Sequence, residues 1–141
     1  MGLDQFFNSR KEYGAVFLRL VIGCRLIVAV WNVVFDWQNM HAVKNFFESV
    51  HIPLPMISAV VAVYAEFICG ILYITGLWVR QAALVMIINF IIAIAFVDVH
   101  TNFEKAFSAY VILAASVFFL FHGAGKISID EQLNKRISRS N

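Results

Sequence analysis

Residues Gly14–Phe35 read GAVFLRLVIGCRLIVAVWNVVF, a run in which only Arg19, Arg25 and Asn32 are strongly polar. About 20 helical residues span the roughly 30 Å hydrocarbon core of a bilayer. This stretch is long enough to cross, so its two arginines need a physical explanation.

The rest of the chain shares that bias. Of 141 residues 61% are hydrophobic and 14% charged, whereas soluble domains average about 45–50% apolar and about 25% charged. A soluble enzyme and a nucleic-acid partner are therefore not expected. Further apolar runs cover Met56–Val79, Ala82–Val97 and Ala106–Phe121. Open strands cannot leave their edges in lipid, so the runs predict helices. The expected spans are 14–35, 56–79, 81–99 and 105–124, with an outer loop at 36–55 and a tail at 125–141. Short links make successive helices antiparallel neighbours. The expected fold is all-α: one integral-membrane domain over 1–141, an antiparallel four-helix bundle in a lipid bilayer.

Arg10, Lys11, Arg80, Lys126, Lys135, Arg136 and Arg139 fall on one side of these spans, and only Lys44 and Lys105 on the other. By the positive-inside rule both termini are cytoplasmic. No small-residue cleavage site follows the first run, which predicts a retained span rather than a signal peptide. The outer loop, with aromatics among polar residues, suggests an interfacial helix over Asn39–Val50. Ser128 and Glu131 have capping-box spacing and start a tail helix near Ile129.

Arg25 lies 11 residues into the first helix, about 16 Å deep at 1.5 Å per residue. Arg19 is only about 7 Å deep, near enough to snorkel to the surface. Asn32 and Asp36 share the face of Arg25, and lipid would penalise such a stripe, so it should face the interior. Glu66 and Asn89, each about ten residues into its own helix, reach the depth of Arg25. An Arg25–Glu66 ion pair supported by Asn89 is expected, with Arg19–Glu66 as the alternative. This cluster reads either as glue between helices or as a cavity or relay, which Tyr64, Tyr73 and Tyr110 would extend.

Cys24 and Cys69 sit at similar depths on neighbouring helices, as a redox dithiol or as two inert packing residues. His41, His51 and His100 fall outside the spans without metal-ligand spacing, and no metal site is expected. His122 closes the last span, where it would cap the helix or titrate near neutrality.

The stretches LRLVIG (Leu18–Gly23), AEFICGILYITGLWVR (Ala65–Arg80) and GAGKISID (Gly123–Asp130) resemble the DoxX family of small four-helix bacterial membrane proteins. Arg19, Gly23, Glu66, Gly70, Gly76, Arg80, Gly123, Gly125, Ser128 and Asp130 carry the resemblance. Asn32 stands where many members have a lysine, and Arg25 is an added charge. The resemblance implies a bacterial inner-membrane location and a redox association, with relatives that include a subunit of thiosulfate:quinone oxidoreductase. Two functions follow. One is a quinone- or thiol-linked accessory subunit of a membrane oxidoreductase, with a quinone at the Arg/Glu/Asn cluster. The other is a non-catalytic scaffold, chaperone or cargo-receptor-like protein that binds a membrane partner or a second copy.

Overall fold

A computed structural model describes residues 11–96 and 103–140, and among them every regular element is a helix. Six helices follow one another: α1 Lys11–Phe35, α2 Trp37–Ser49, α3 Pro55–Thr75, α4 Val79–Phe96, α5 Phe103–His122 and α6 Ile129–Ser140. Three are long and apolar enough to cross a membrane, at Glu12–Phe35, Pro55–Thr75 and Val79–Phe96; Ala106–His122 is a shorter apolar helix. Residues 97–99 of the expected third span, with Asp98 and His100, lie outside the described residues.

Each boundary has a local cause. α1 stops where Asp36 adopts an extended backbone (φ −130°), and its carboxylate accepts from the Gln38 amide at 2.9 Å to start α2. An Asp in this role satisfies one of the amides a helix N-terminus leaves unpaired. The Asn39 side chain ties the junction by donating to Asn32 O at 3.2 Å and Asp36 Oδ2 at 3.1 Å. α2 covers the stretch where a helix is expected over Asn39–Val50, beginning two residues before Asn39 and ending at Ser49. α3 opens on Pro55, whose missing N–H costs nothing in a first turn.

α3 ends at Thr75, four residues short of the expected Val79. Gly76 takes the left-handed conformation (φ +69°), and the Gly76 and Leu77 amides both close on Leu72 O. This is a Schellman-like stop, and Leu77 and Trp78 hide it from hydropathy because they extend the apolar run. Trp78 is itself left-handed (φ +49°), at a cost of roughly 1–2 kcal/mol. Asp130, brought from the start of α6, holds it there by accepting from the Trp78 amide at 2.9 Å and the Val79 amide at 3.5 Å. Ser128 Oγ accepts from the Glu131 amide at 3.2 Å, the expected cap of α6.

α1 packs chiefly on α3, and α4 on α5; α3 also meets α4, whereas α1 and α5 touch sparsely. One core takes residues from all four, including Ile22, Leu26, Cys69, Tyr73, Met86, Phe90, Ile112 and Phe119. Met40 of α2 plugs a second, smaller core against Val30, Ala59 and Val63. α1 and α3 cross at Gly23 and Gly70: a Cβ on Gly23 would lie 2.7 Å from Gly70 O. Glycine is the residue that lets two helix backbones come this close. The outside is apolar as well, with Phe121 79%, Val28 71% and Phe17 70% exposed. Such surface is unfavourable in water and suited to a lipid bilayer.

Candidate functional site

Of the polar residues expected at one depth, Glu66 and Asn89 bond to each other and Arg25 bonds elsewhere. Asn89 Nδ2 on α4 donates to Glu66 Oε1 on α3 at 3.2 Å. Arg25 Nη2 on α1 donates to Ser108 Oγ on α5 at 3.1 Å. The expected Arg25–Glu66 ion pair does not form: Arg25 acts on the Glu66 carboxylate through space, and contact within 4 Å is absent from the pairs of described residues. Two separate polar pairs thus bridge helices, Glu66–Asn89 between α3 and α4 and Arg25–Ser108 between α1 and α5. Ser108 was missed because a lone hydroxyl in an apolar run reads as packing.

These residues face a different way from expectation. Arg25 and Asn32 are exposed rather than interior, while Glu66 and Asn89 are half-buried. The core face of α1 is the stripe Ala15, Arg19, Ile22, Leu26 and Val30, spaced by three or four residues. Arg25 lies one position from Leu26, about 100° round the helix, and so reaches the sparse seam between α1 and α5. Its hydrogen bond to Ser108 crosses that seam.

Arg19 corrects a second expectation. Instead of snorkelling it is buried, 2% exposed, and donates through Nη1 to Ala124 O and through Nη2 to Ile127 O at 3.0 Å. Both acceptors belong to the loop between α5 and α6. Gly76 makes the room, since a Cβ there would come within 2.7 Å of Arg19 Nη1. Asp130 N donates to Gly76 O at 3.2 Å and Lys126 N to Glu12 Oε2 at 3.0 Å, closing the same joint. Charge-assisted bonds of this kind are worth about 1.5–3 kcal/mol each. Arg19 therefore fastens the tail to the helices and takes no part in either polar pair.

The tyrosines do not line one cavity. Tyr73 is buried, donates to Ser116 Oγ at 3.0 Å and packs against Phe119, whereas Tyr64 and Tyr110 are exposed. Cys24 faces outward and Cys69 lies in the core, both as free thiols. His41 packs edge-on against Trp37 and His51 sits in a left-handed turn. His122 stacks on Phe118, with ring centroids 5.0 Å apart. A cavity of about 640 Å³ and another of about 250 Å³ both lie at the tail end, away from Arg25, Glu66 and Asn89.

Comparison with known proteins gives one match: the DoxX family model aligns with residues 14–100. That segment includes Arg19, Arg25, Glu66 and Asn89 and stops short of the GAGKISID stretch. No curated protein and no solved structure shows significant similarity to the chain. The match covers more than half of the chain, which belongs to the DoxX family.

Proposed function

We propose that this DoxX family member crosses the bacterial inner membrane as an antiparallel four-helix bundle with both termini cytoplasmic, and that it serves as a redox-associated subunit binding a quinone-class molecule. The site is the α1–α5 seam at Arg25, with Ser108, Glu66 and Asn89. One observation carries the reading: Arg25 is exposed at the sparse α1–α5 seam, bonded there to Ser108, while Glu66 bonds to Asn89 across α3 and α4. A charged side chain in the middle of a span is costly unless it meets a polar partner. A quinone ring offers carbonyl acceptors for the Arg25 guanidinium, and its apolar tail lies in the surrounding lipid. The half-buried Glu66 carboxyl, on which Arg25 acts through space, is the group that would exchange a proton with a ring held there. The thiol-linked variant gains nothing from the cysteines, one of which faces out and the other in.

A specific observation favours a second reading. Arg25 and Asn32 are exposed on one helix among lipid-suited surface, as expected if a partner's transmembrane helix or a second copy covers them. Mass spectrometry of small molecules extracted from gently purified wild type, Arg25→Gln and Glu66→Gln separates the two. Quinone retained by wild type and lost from Arg25→Gln is the expected result. Equal quinone in all three, or none in any, rejects the quinone site. A membrane protein that then leaves with Arg25→Gln establishes the scaffold.

A further inference from the structure

The larger tail-end cavity, about 640 Å³, is walled by polar residues at the level where α4 begins and α5 ends. It plays no part in the quinone reading. We infer that it is a binding site for a phosphate-type anion, formed by Arg80, Lys126 and His122, and that its occupant is the headgroup of an anionic phospholipid.

The unmatched donors of the wall, rather than its net charge, decide this. Three carboxylates line the cavity, and all are engaged. Glu12 accepts from the Lys126 amide, Asp130 from the Trp78 and Val79 amides, and Glu131 pairs with Lys135 at 3.4 Å. The two lining cations are not: neither Arg80 nor Lys126 has a carboxylate within 4 Å among the described residues. A guanidinium and an ammonium without counterions, beside carboxylates already bonded, leave unmatched donors for an anion.

Two local features fit an occupant. Gly123 is left-handed (φ +76°), and a Cβ there would lie 3.1 Å from Arg80 Nε, so the loop at this point leaves space for the guanidinium. His122 Nε2 is buried, has no hydrogen-bond partner, and belongs to a ring stacked on Phe118 that also lines the cavity. Buried polar nitrogens rarely stay unpaired, and a phosphate oxygen would accept from this one in the ring's Nε2–H form.

The surroundings select a lipid over a free ion. Trp78, 61% exposed, lines the cavity, and Phe121, 79% exposed, directly precedes His122. Aromatics of this kind gather at the headgroup level of a bilayer. A phosphodiester in the cavity would thus have apolar surface beside it for its acyl chains.

The test is native mass spectrometry of the delipidated full-length chain in detergent. Phosphatidylglycerol, phosphatidylcholine and inorganic phosphate are titrated separately into wild type, Arg80→Gln, Lys126→Gln and Arg136→Gln. Arg136 lies on α6 outside the cavity and is the control. Wild type should hold one phosphatidylglycerol in preference to phosphatidylcholine. Arg80→Gln and Lys126→Gln should each weaken it about fivefold, the worth of one basic residue near an anionic headgroup, with Arg136→Gln unchanged. If inorganic phosphate binds with the same variant dependence and displaces the lipid, the anion site stands and its occupant is a soluble phosphate. The proposal is overturned if phosphatidylcholine binds equally well, or if Arg136→Gln weakens binding as much as the cavity variants. Should Arg80→Gln not fold, Lys126→Gln decides, because its side chain is exposed.

Discussion

The crossing of α1 and α3 should fail when a single methyl group is added at Gly23. A Cβ there would lie 2.7 Å from Gly70 O and 2.7 Å from Ile74 Cγ1. Ile74 can turn its side chain away, but a backbone carbonyl cannot move without its helix. Ordinary carbon–oxygen contact begins at about 3.3 Å, so the helices must part by roughly 0.6 Å at this point. Overpacking of this kind costs about 1–3 kcal/mol, and the better helix propensity of alanine returns up to about 1 kcal/mol. Gly23→Ala should therefore lose about 1–2 kcal/mol net. Gly70→Ala should lose less, since its nearest obstacle is the flexible Ile27 side chain at 2.8 Å and Gly23 O stands at 3.0 Å. Gly14 has nothing within 4 Å and supplies the control: Gly14→Ala should be neutral or stabilising. In detergent, at about 4 °C per kcal/mol for a chain of this size, melting should fall in the order Gly14→Ala, Gly70→Ala, Gly23→Ala. A Gly23→Ala protein that melts with Gly14→Ala would refute the close crossing.

Other substitutions test the joint at the tail and the core. Arg19→Met leaves Ala124 O and Ile127 O without their donors and should free the tail; trypsin should then cut after Lys126 more than about tenfold faster, the effect of 1.4 kcal/mol of easier opening. An unchanged cleavage rate would show that Arg19 does not hold the loop. Asp130→Ala removes the cap from the start of α4 and should cost about 1 kcal/mol in thermal unfolding, with Asp130→Asn costing less. Equal stability of all three proteins would mean the cap carries nothing. Tyr73→Phe deletes the bond to the buried Ser116 hydroxyl and should cost about 1 kcal/mol, read the same way; no loss would place that hydroxyl with another partner.

The helices were legible in the sequence because apolar length and stop signals are local. So was the start of α6, where Ser128 and Glu131 keep capping-box spacing. The meeting of Glu66 and Asn89 was legible as shared depth, which needs only residue counts. The partner of Arg25 was not. A helical wheel gives angles between residues but not the direction of the core, and on α1 nearly every face is apolar. The core stripe from Ala15 through Arg19 to Val30 includes one arginine and excludes the other, the reverse of what depth alone suggests. Arg19 was misjudged because its acceptors are main-chain carbonyls more than a hundred residues later. A backbone carbonyl leaves no mark in a sequence.

The residues that carry the family resemblance fall mostly into one mechanical unit. Arg19 holds the loop after α5, Gly76 gives it room, Ser128 caps α6, and Asp130 caps α4 while tying its own amide to Gly76. Gly23 and Gly70 set the crossing of α1 and α3 just beyond this joint. All of these act within the chain itself, with Arg19 Nε alone left buried and without a hydrogen-bond partner, and removing any of them should be felt as stability. Glu66 is different, because its bonded partner is Asn89 and its nearest uncompensated charge is Arg25. An architectural arginine is buried and carbonyl-bonded, as Arg19 is; Arg25 is exposed and held by a single serine hydroxyl. Lipid tails offer no acceptor for its remaining donors, and on the proposed reading a quinone carbonyl supplies one. The distinction between fastening and function in this molecule is therefore sharpest between two arginines six residues apart, and variants of Arg25, not of Arg19, should change what the purified protein carries.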